Sequence, residues 1–223
     1  MSTLNGESQR QVFNEFAEVT RCLGSSHRLL LLEHIAQGER SVERLAELAG
    51  LTIANASQHL QHLKRAGFVQ SRREGKNVYY RLGNGPVQNI LTAIRQYVEY
   101  RHSEIRSFVS DIFSQRERLE SISREELLHR LNEGDITLLD VRPPEEFASG
   151  HLPGAVNIPA EELEGRLSEL LKGQEVVAYC RGPYCVLSLN AMKILQTNGF
   201  LARCLEDGFP EWKAAGLEVQ INR

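Results

Sequence analysis

Two cysteines five residues apart, Cys180 and Cys185, bound the segment Cys180-Arg181-Gly182-Pro183-Tyr184-Cys185. The apolar run Glu175–Tyr179 before it reads as a buried strand, and Val186–Met192 after it reads as the start of a helix. A thiol on a strand-to-helix turn lies beside backbone N–H groups that the helix leaves unpaired, at the positive end of its dipole. That setting lowers a thiol pKa and favours the thiolate, the nucleophilic form. The loop is therefore suited to thiol chemistry with Cys180 as nucleophile. For Cys185 the spacing leaves three uses open: packing under the helix, a disulfide with Cys180, or taking sulfur from it. Cys204, in an apolar run, reads as a core thiol, and Cys22 as a packed one.

The elements that must position this loop occupy only half of the chain. With 223 residues, 41% hydrophobic and 25% charged, the composition is that of a soluble globular protein of one large or two small domains. Residues 1–118 carry 16 Lys/Arg and 12 Asp/Glu, whereas residues 119–223 carry 10 and 17, so net charges of +4 and −7 sum to the −3 of the whole. This asymmetry favours two domains, with any polyanion on the first. The polar N-terminus lacks the apolar core of a signal peptide, and no run approaches bilayer-spanning length. A cytoplasmic protein without membrane contact is expected. Four scattered cysteines do not make a disulfide scaffold, and no CxxC pair argues for structural zinc.

In the first half, residues 8–37 read as two helices broken at Gly24-Ser25-Ser26. Ser41 caps a short helix that Gly50 ends, and a second runs from Ala54 to Ala66 before Gly67. Two strands follow, Phe68–Ser71 and Val78–Leu82, with a basic hairpin tip over 72–77. The order is a helix-turn-helix and a wing. Ala56, Leu60 and Leu63 share one helix face, while Gln58, Gln61, His62 and Arg65 lie opposite, beside Ser57. Amide, imidazole and guanidinium groups can hydrogen-bond base edges in a major groove. Arg72, Arg73 and Lys76 are placed to meet phosphates or a minor groove. From Pro86 a long apolar stripe, Val87 to Ile112, predicts a helix for dimer contact and connection.

The segments Ser41–Ala46, Ala56–Leu63, Ala66–Val69 and Arg72–Lys76, closing on Tyr79-Tyr80, resemble the ArsR/SmtB winged-helix repressors over residues 10–110. The resemblance implies a homodimer joined through its first and last helices on a palindromic double-stranded DNA operator. It places Ser57, Gln58 and His59 toward the groove, although helical spacing turns His59 inward. Members often sense metals through cysteines on the helix that here spans Ser41–Ala49, which has none. His102 and Glu104, two apart, do not share a helix face. No metal or cofactor is expected.

In the second half, Ser123 and Glu126 form a capping box, and strands and helices then alternate: strand 136–139, a short extended run 156–158, helix 160–171, strand 175–179, helix 186–197, strand 201–204 and a helix around Trp212. This pattern predicts a small parallel α/β sheet. Leu138–Arg142 with the turn-rich stretch to Pro159, the Cys180 loop, and Leu205–Trp212 together resemble the rhodanese sulfurtransferase domain over residues 120–220. The resemblance implies that Cys180 takes a sulfur from a small donor as a persulfide and yields it to a thiol acceptor. Backbone N–H groups of 181–186 would stabilise the anionic sulfur, and Asp140 and Arg142 would brace the loop or add charge. Cys185 stands where the family often has Arg, and Arg181 is the loop's only cation, so anionic donors such as thiosulfate are disfavoured. The loop is also one residue shorter than that of the related phosphatases.

The expected architecture is thus a mainly-α winged helix-turn-helix domain (1–110), a helical linker (111–120) and an α/β rhodanese-like domain (121–223). The expected function is a DNA-binding transcriptional regulator that responds to reactive sulfur or redox state through Cys180. The alternative is a sulfurtransferase whose winged-helix half mainly dimerises or localises it.

Overall fold

The computed structural model describes residues 3–104, 120–134, 136–182 and 185–221. They fall into two compact units, 1–87 and 88–223. The expected linker lies outside the described residues except for Glu120, as do Pro183, Tyr184 and the side chains of His102 and Glu104. No helix among the described residues is long and apolar enough to cross a membrane.

The first unit contains α1 (Thr3–Leu23), α2 (Ser26–Ala36), β1 (Arg40–Ser41), α3 (Val42–Leu48), α4 (Ile53–Arg65), β2 (Val69–Glu74) and β3 (Asn77–Leu82). Ser41 caps α3 by accepting from Arg44 N, and Thr52 caps α4 by accepting from Asn55 N. Both helices end in a Schellman motif on a left-handed glycine: Leu51 N donates to Ala46 O past Gly50, and Phe68 N to Leu63 O past Gly67. Leu31, Leu45, Ala56, Leu60 and Leu63 are fully buried and clamp the two helices together.

The wing departs from the expected tip. Strand pairing continues through Arg72↔Tyr79 and Arg73↔Val78 to Glu74↔Asn77, so Arg72 and Arg73 are strand residues and the turn is only Gly75-Lys76. Gly75, with φ 59°, supplies the positive φ that a two-residue II′ turn requires at its first position. The two-residue strand β1, absent from the expectation, pairs with β3 (Arg40↔Tyr80).

The second unit takes in most of the long helix α5 (Val87–Glu104), and then β4 (Ser121–Ile122), α6 (Arg124–Glu133), β5 (Ile136–Asp140), α7 (Pro144–Ser149), β6 (Val156–Asn157), a 3-10 helix (Leu163–Glu169), β7 (Glu175–Tyr179), α8 (Val186–Thr197), β8 (Ala202–Leu205) and α9 (Phe209–Ala214). The sheet has five parallel strands in the order β4-β8-β7-β5-β6. Alternate residues feed two cores. Leu139, Val176, Ala178 and Cys180 pack with Met192 and Leu195 of α8, whereas Leu138, Val177 and Tyr179 pack with Leu127, Phe209 and Trp212. The expected helix over 160–171 is instead the 3-10 helix, with Gly165 inside it lowering α propensity.

Candidate functional site

Strands β5 and β7 are neighbours, and their carboxyl ends bring Asp140 and Tyr179 into register. Cys180 follows β7 directly and is 2% exposed. Ligand sites of parallel sheets lie at this edge. The loop turns back so that Cys185 N donates to Gly182 O at 3.1 Å, and Cys185 becomes the N-cap of α8, whose first turn carries no acidic residue. One of the amides expected to face the sulfur is therefore spent within the loop. Cys180 and Cys185 form a disulfide, with Cα atoms 6.3 Å apart. Of the three uses open to Cys185, pairing is the one seen. The chemistry of Cys180 therefore belongs to the reduced loop.

Asp140 and Arg142 are both fully buried. Arg142 donates to Asp140 through Nε (3.0 Å) and Nη2 (2.6 Å), and its backbone N donates to Asp140 Oδ1 (2.9 Å). Nη2 also reaches Gly150 O at 2.8 Å, and the guanidinium sits 4.3 Å over the Phe209 ring. Although burial pulls the other way, the bonds to Asp140 leave Arg142 above its ordinary pKa, and it stays charged. Phe209 N in turn donates to Cys180 O at 3.1 Å. Through Phe209 the pair is thus linked to the Cys180 carbonyl.

Three partners were not read from the sequence. Glu146, 1% exposed, accepts from Arg181 Nη2 (2.8 Å) and Nε (3.0 Å), matching the charge of the loop's cation. Asn157 Nδ2 donates to the carbonyls of Asp140 and Arg142, both at 2.9 Å. Tyr179 OH accepts from Leu152 N (3.1 Å), and burial, reinforced by Asp140, pushes its phenol far up so that it stays neutral. A signal for Glu146 existed in Pro144-Glu145-Glu146, where Pro144 begins α7 and acids suit its first turn. Its partner 35 residues away was not visible.

Because Glu146 compensates Arg181, the loop's cation is already matched by a carboxylate when a donor arrives. Glu146→Gln uncovers the guanidinium. The reduced variant is expected to react with thiosulfate at Cys180 about tenfold faster than wild type. Stopped-time mass spectrometry of Cys180 measures this, and an unchanged rate would remove Arg181 charge as a determinant of donor choice.

In the first unit, α4 presents Gln58, His62 and Arg65 exposed, with Ser57 half-buried. His59 is half-buried against His27, ring centroids 5.3 Å apart, and burial first, then the charges of His27 and Arg28, lowers its pKa and favours the neutral ring. The inward turn given by helical spacing is thus its observed setting. Gln61 donates to Tyr80 OH (3.0 Å), and Lys64 to Ser71 Oγ (2.7 Å), so both tie α4 to the wing. Arg72 pairs with Glu39 (2.7 Å) and Glu74 (2.5 Å) and lies 4.6 Å over Tyr79, with the bond to Glu39 the main cause of its raised pKa. These contacts tie Arg72 to the wing and to Glu39, and Arg72, Arg73 and Lys76 are all exposed. The Cys22 thiol contacts His62 O at 3.8 Å, and burial raises its pKa, the setting of an unactivated thiol.

Comparison with known proteins agrees with this division. Residues 23–72 match a helix-turn-helix domain and residues 123–215 a rhodanese-like domain. The HTH-type transcriptional regulator Rv0324 of Mycobacterium tuberculosis is 40% identical over 216 residues, covering 96% of this chain and 95% of that protein. A sulfurtransferase of Allochromatium vinosum is 34% identical over 100 residues, 44% of this chain and 92% of that protein. Among solved structures, the homodimeric winged helix-turn-helix DNA-binding domain Mb0332 of Mycobacterium bovis overlaps 41% of this chain and 84% of its own, at 34% identity and a TM-score of 0.39.

Proposed function

Because the chain belongs to the ArsR-type helix-turn-helix regulators that carry a rhodanese-like domain, we propose that it is a DNA-binding transcriptional regulator whose Cys180 takes up reactive sulfur as its input. The observation that carries the reading is the placement of Cys180 at the carboxyl end of β7, on a loop braced by a fully buried ion pair, in a chain whose first unit presents a recognition helix and wing. The partners are a double-stranded DNA operator, a second copy of the chain, a small sulfur donor and a thiol acceptor. Support for the second copy comes from α1, where Val12, Phe13, Phe16 and Val19 are 50%, 60%, 58% and 38% exposed on one chain. Such an apolar stripe is stabilised by covering.

On α4 the exposed side chains suited to base edges are Gln58, His62 and Arg65, while Arg73 and Lys76 suit phosphate. Selection from a random duplex pool with the full-length protein is expected to enrich a site of two-fold symmetry. On that site Gln58→Ala is expected to weaken binding by about 1–3 kcal/mol and to relax the preference at one position of each half-site. Arg73→Ala should weaken all sequences alike and flatten the salt dependence. A pool that stays random, together with steady sulfur turnover, would favour the sulfurtransferase reading instead.

A further inference from the structure

Resting on the reading of Cys180 as a sulfur carrier, we propose that Cys185 is its resolving cysteine. It converts the Cys180 persulfide into the Cys180–Cys185 disulfide and releases the transferred sulfur as sulfide. In the first step the Cys180 thiolate attacks the outer sulfur of a donor persulfide R–S–SH, the bond from that sulfur to R–S breaks, and R–S⁻ leaves with the electron pair, giving Cys180–S–SH. In the second, the Cys185 thiolate attacks Cys180 Sγ. The Sγ–Sγ bond forms, the bond from Cys180 Sγ to the outer sulfur breaks, and the outer sulfur departs with that electron pair as HS⁻. The two thiols lose two electrons, and the sulfane sulfur gains them. No further oxidant enters.

Four observations carry the step. The two cysteines pair within the folded unit, with a Cα separation of 6.3 Å that lies inside the usual disulfide range. Cys185 is the N-cap of a twelve-residue helix with no acid in its first turn, which favours its thiolate. Arg181, the cation that would otherwise hold an anionic outer sulfur, is matched by Glu146. Cys180 is 2% exposed while Cys185 is only half-buried, so an internal thiol has better access to Cys180 Sγ than a bulky external acceptor. The same difference directs the reverse reaction. A reducing thiol attacks Cys185 Sγ, and Cys180 leaves as the thiolate.

The test uses the reduced full-length chain and one equivalent of glutathione persulfide, with quenching by alkylation, peptide mass spectrometry and sulfide measurement. Wild type is expected to lose two hydrogens, mapped to a Cys180–Cys185 bond, and to release one equivalent of sulfide above a Cys180→Ser blank. Cys185→Ser, with Cys185→Ala as a second variant, is expected to retain one added sulfur on Cys180 and release none. A persulfide that persists on wild-type Cys180 overturns the resolving role and leaves the carrier reading intact. A glutathione adduct on Cys180 in the Cys185 variants overturns the persulfide route. An unmodified Cys180 in every protein overturns the carrier reading itself. Fluorescence of Trp212, buried in this unit, reports that each variant is folded.

Discussion

Arg142→Ala is expected to destabilise the second unit by about 3–5 kcal/mol. Asp140 and Arg142 are each fully buried and hold each other through a bidentate ion pair, so removing the guanidinium strands a carboxylate away from water. The loss extends beyond charge. The Gly150 carbonyl forfeits its 2.8 Å donor, and the Phe209 ring forfeits the group packed 4.3 Å above it. The chain has one tryptophan, Trp212, which is 2% exposed in this unit, so urea unfolding followed by its fluorescence isolates the effect. The midpoint should fall sharply. The paired replacement Asp140→Leu with Arg142→Met removes both charges and should recover much of the loss. If Arg142→Ala moved the stability by no more than about 0.5 kcal/mol, an ordinary surface value, the brace would have no energetic meaning.

Gly208→Ala is expected to slow the chemistry of Cys180 more than it unfolds the protein. A Cβ at Gly208 would lie 2.4 Å from Gly182 N, 2.5 Å from Gly182 Cα and 2.6 Å from the carbonyl carbon of Arg181. All three are backbone atoms of the sulfur loop, so no side chain can swing aside and the loop must shift. The neighbouring Phe209 N to Cys180 O bond, 3.1 Å long, holds the Cys180 backbone on the other side of the contact. A displacement of about 1 Å slows a positioned reaction on the order of 100-fold, while the overpacking itself costs about 1–3 kcal/mol. In the reduced Gly208→Ala chain, uptake of sulfur by Cys180 should therefore fall by about tenfold or more, with Trp212 still reporting a folded unit. Uptake at the wild-type rate would show that Gly208 only closes a turn.

The sequence revealed features made by neighbours along the chain. Ser41, Gly50 and Gly67 bound the recognition helices because capping is local chemistry, and the structure places those helix ends within a residue or two of the expected positions, with Thr52 as the cap of the second helix. Strands 136–139 and 175–179 were likewise legible as short apolar runs, and the structure seats alternate residues of each in two cores. Features that depend on distant partners were not legible. Strand β1 is two residues long and exists only because β3 lies beside it. The pairing of Arg72 with Glu39, 33 residues away, was equally hidden. Glu146 met Arg181 across 35 residues in the same way. The Cys180–Cys185 pairing lay between these cases. Its spacing was open to view, but the close approach of Gly208 to the loop that joins the two sulfurs was not.

The central claim is that sulfur chemistry at Cys180 alters operator binding. It is tested most directly by fluorescence anisotropy of one selected duplex, titrated at fixed salt with the reduced chain before and after one equivalent of glutathione persulfide. Wild-type Kd is expected to shift by about 5–150-fold, the range of an allosteric coupling, and that of Cys180→Ser to stay where it was. A wild-type Kd that does not move, or an equal shift in both proteins, would contradict the account.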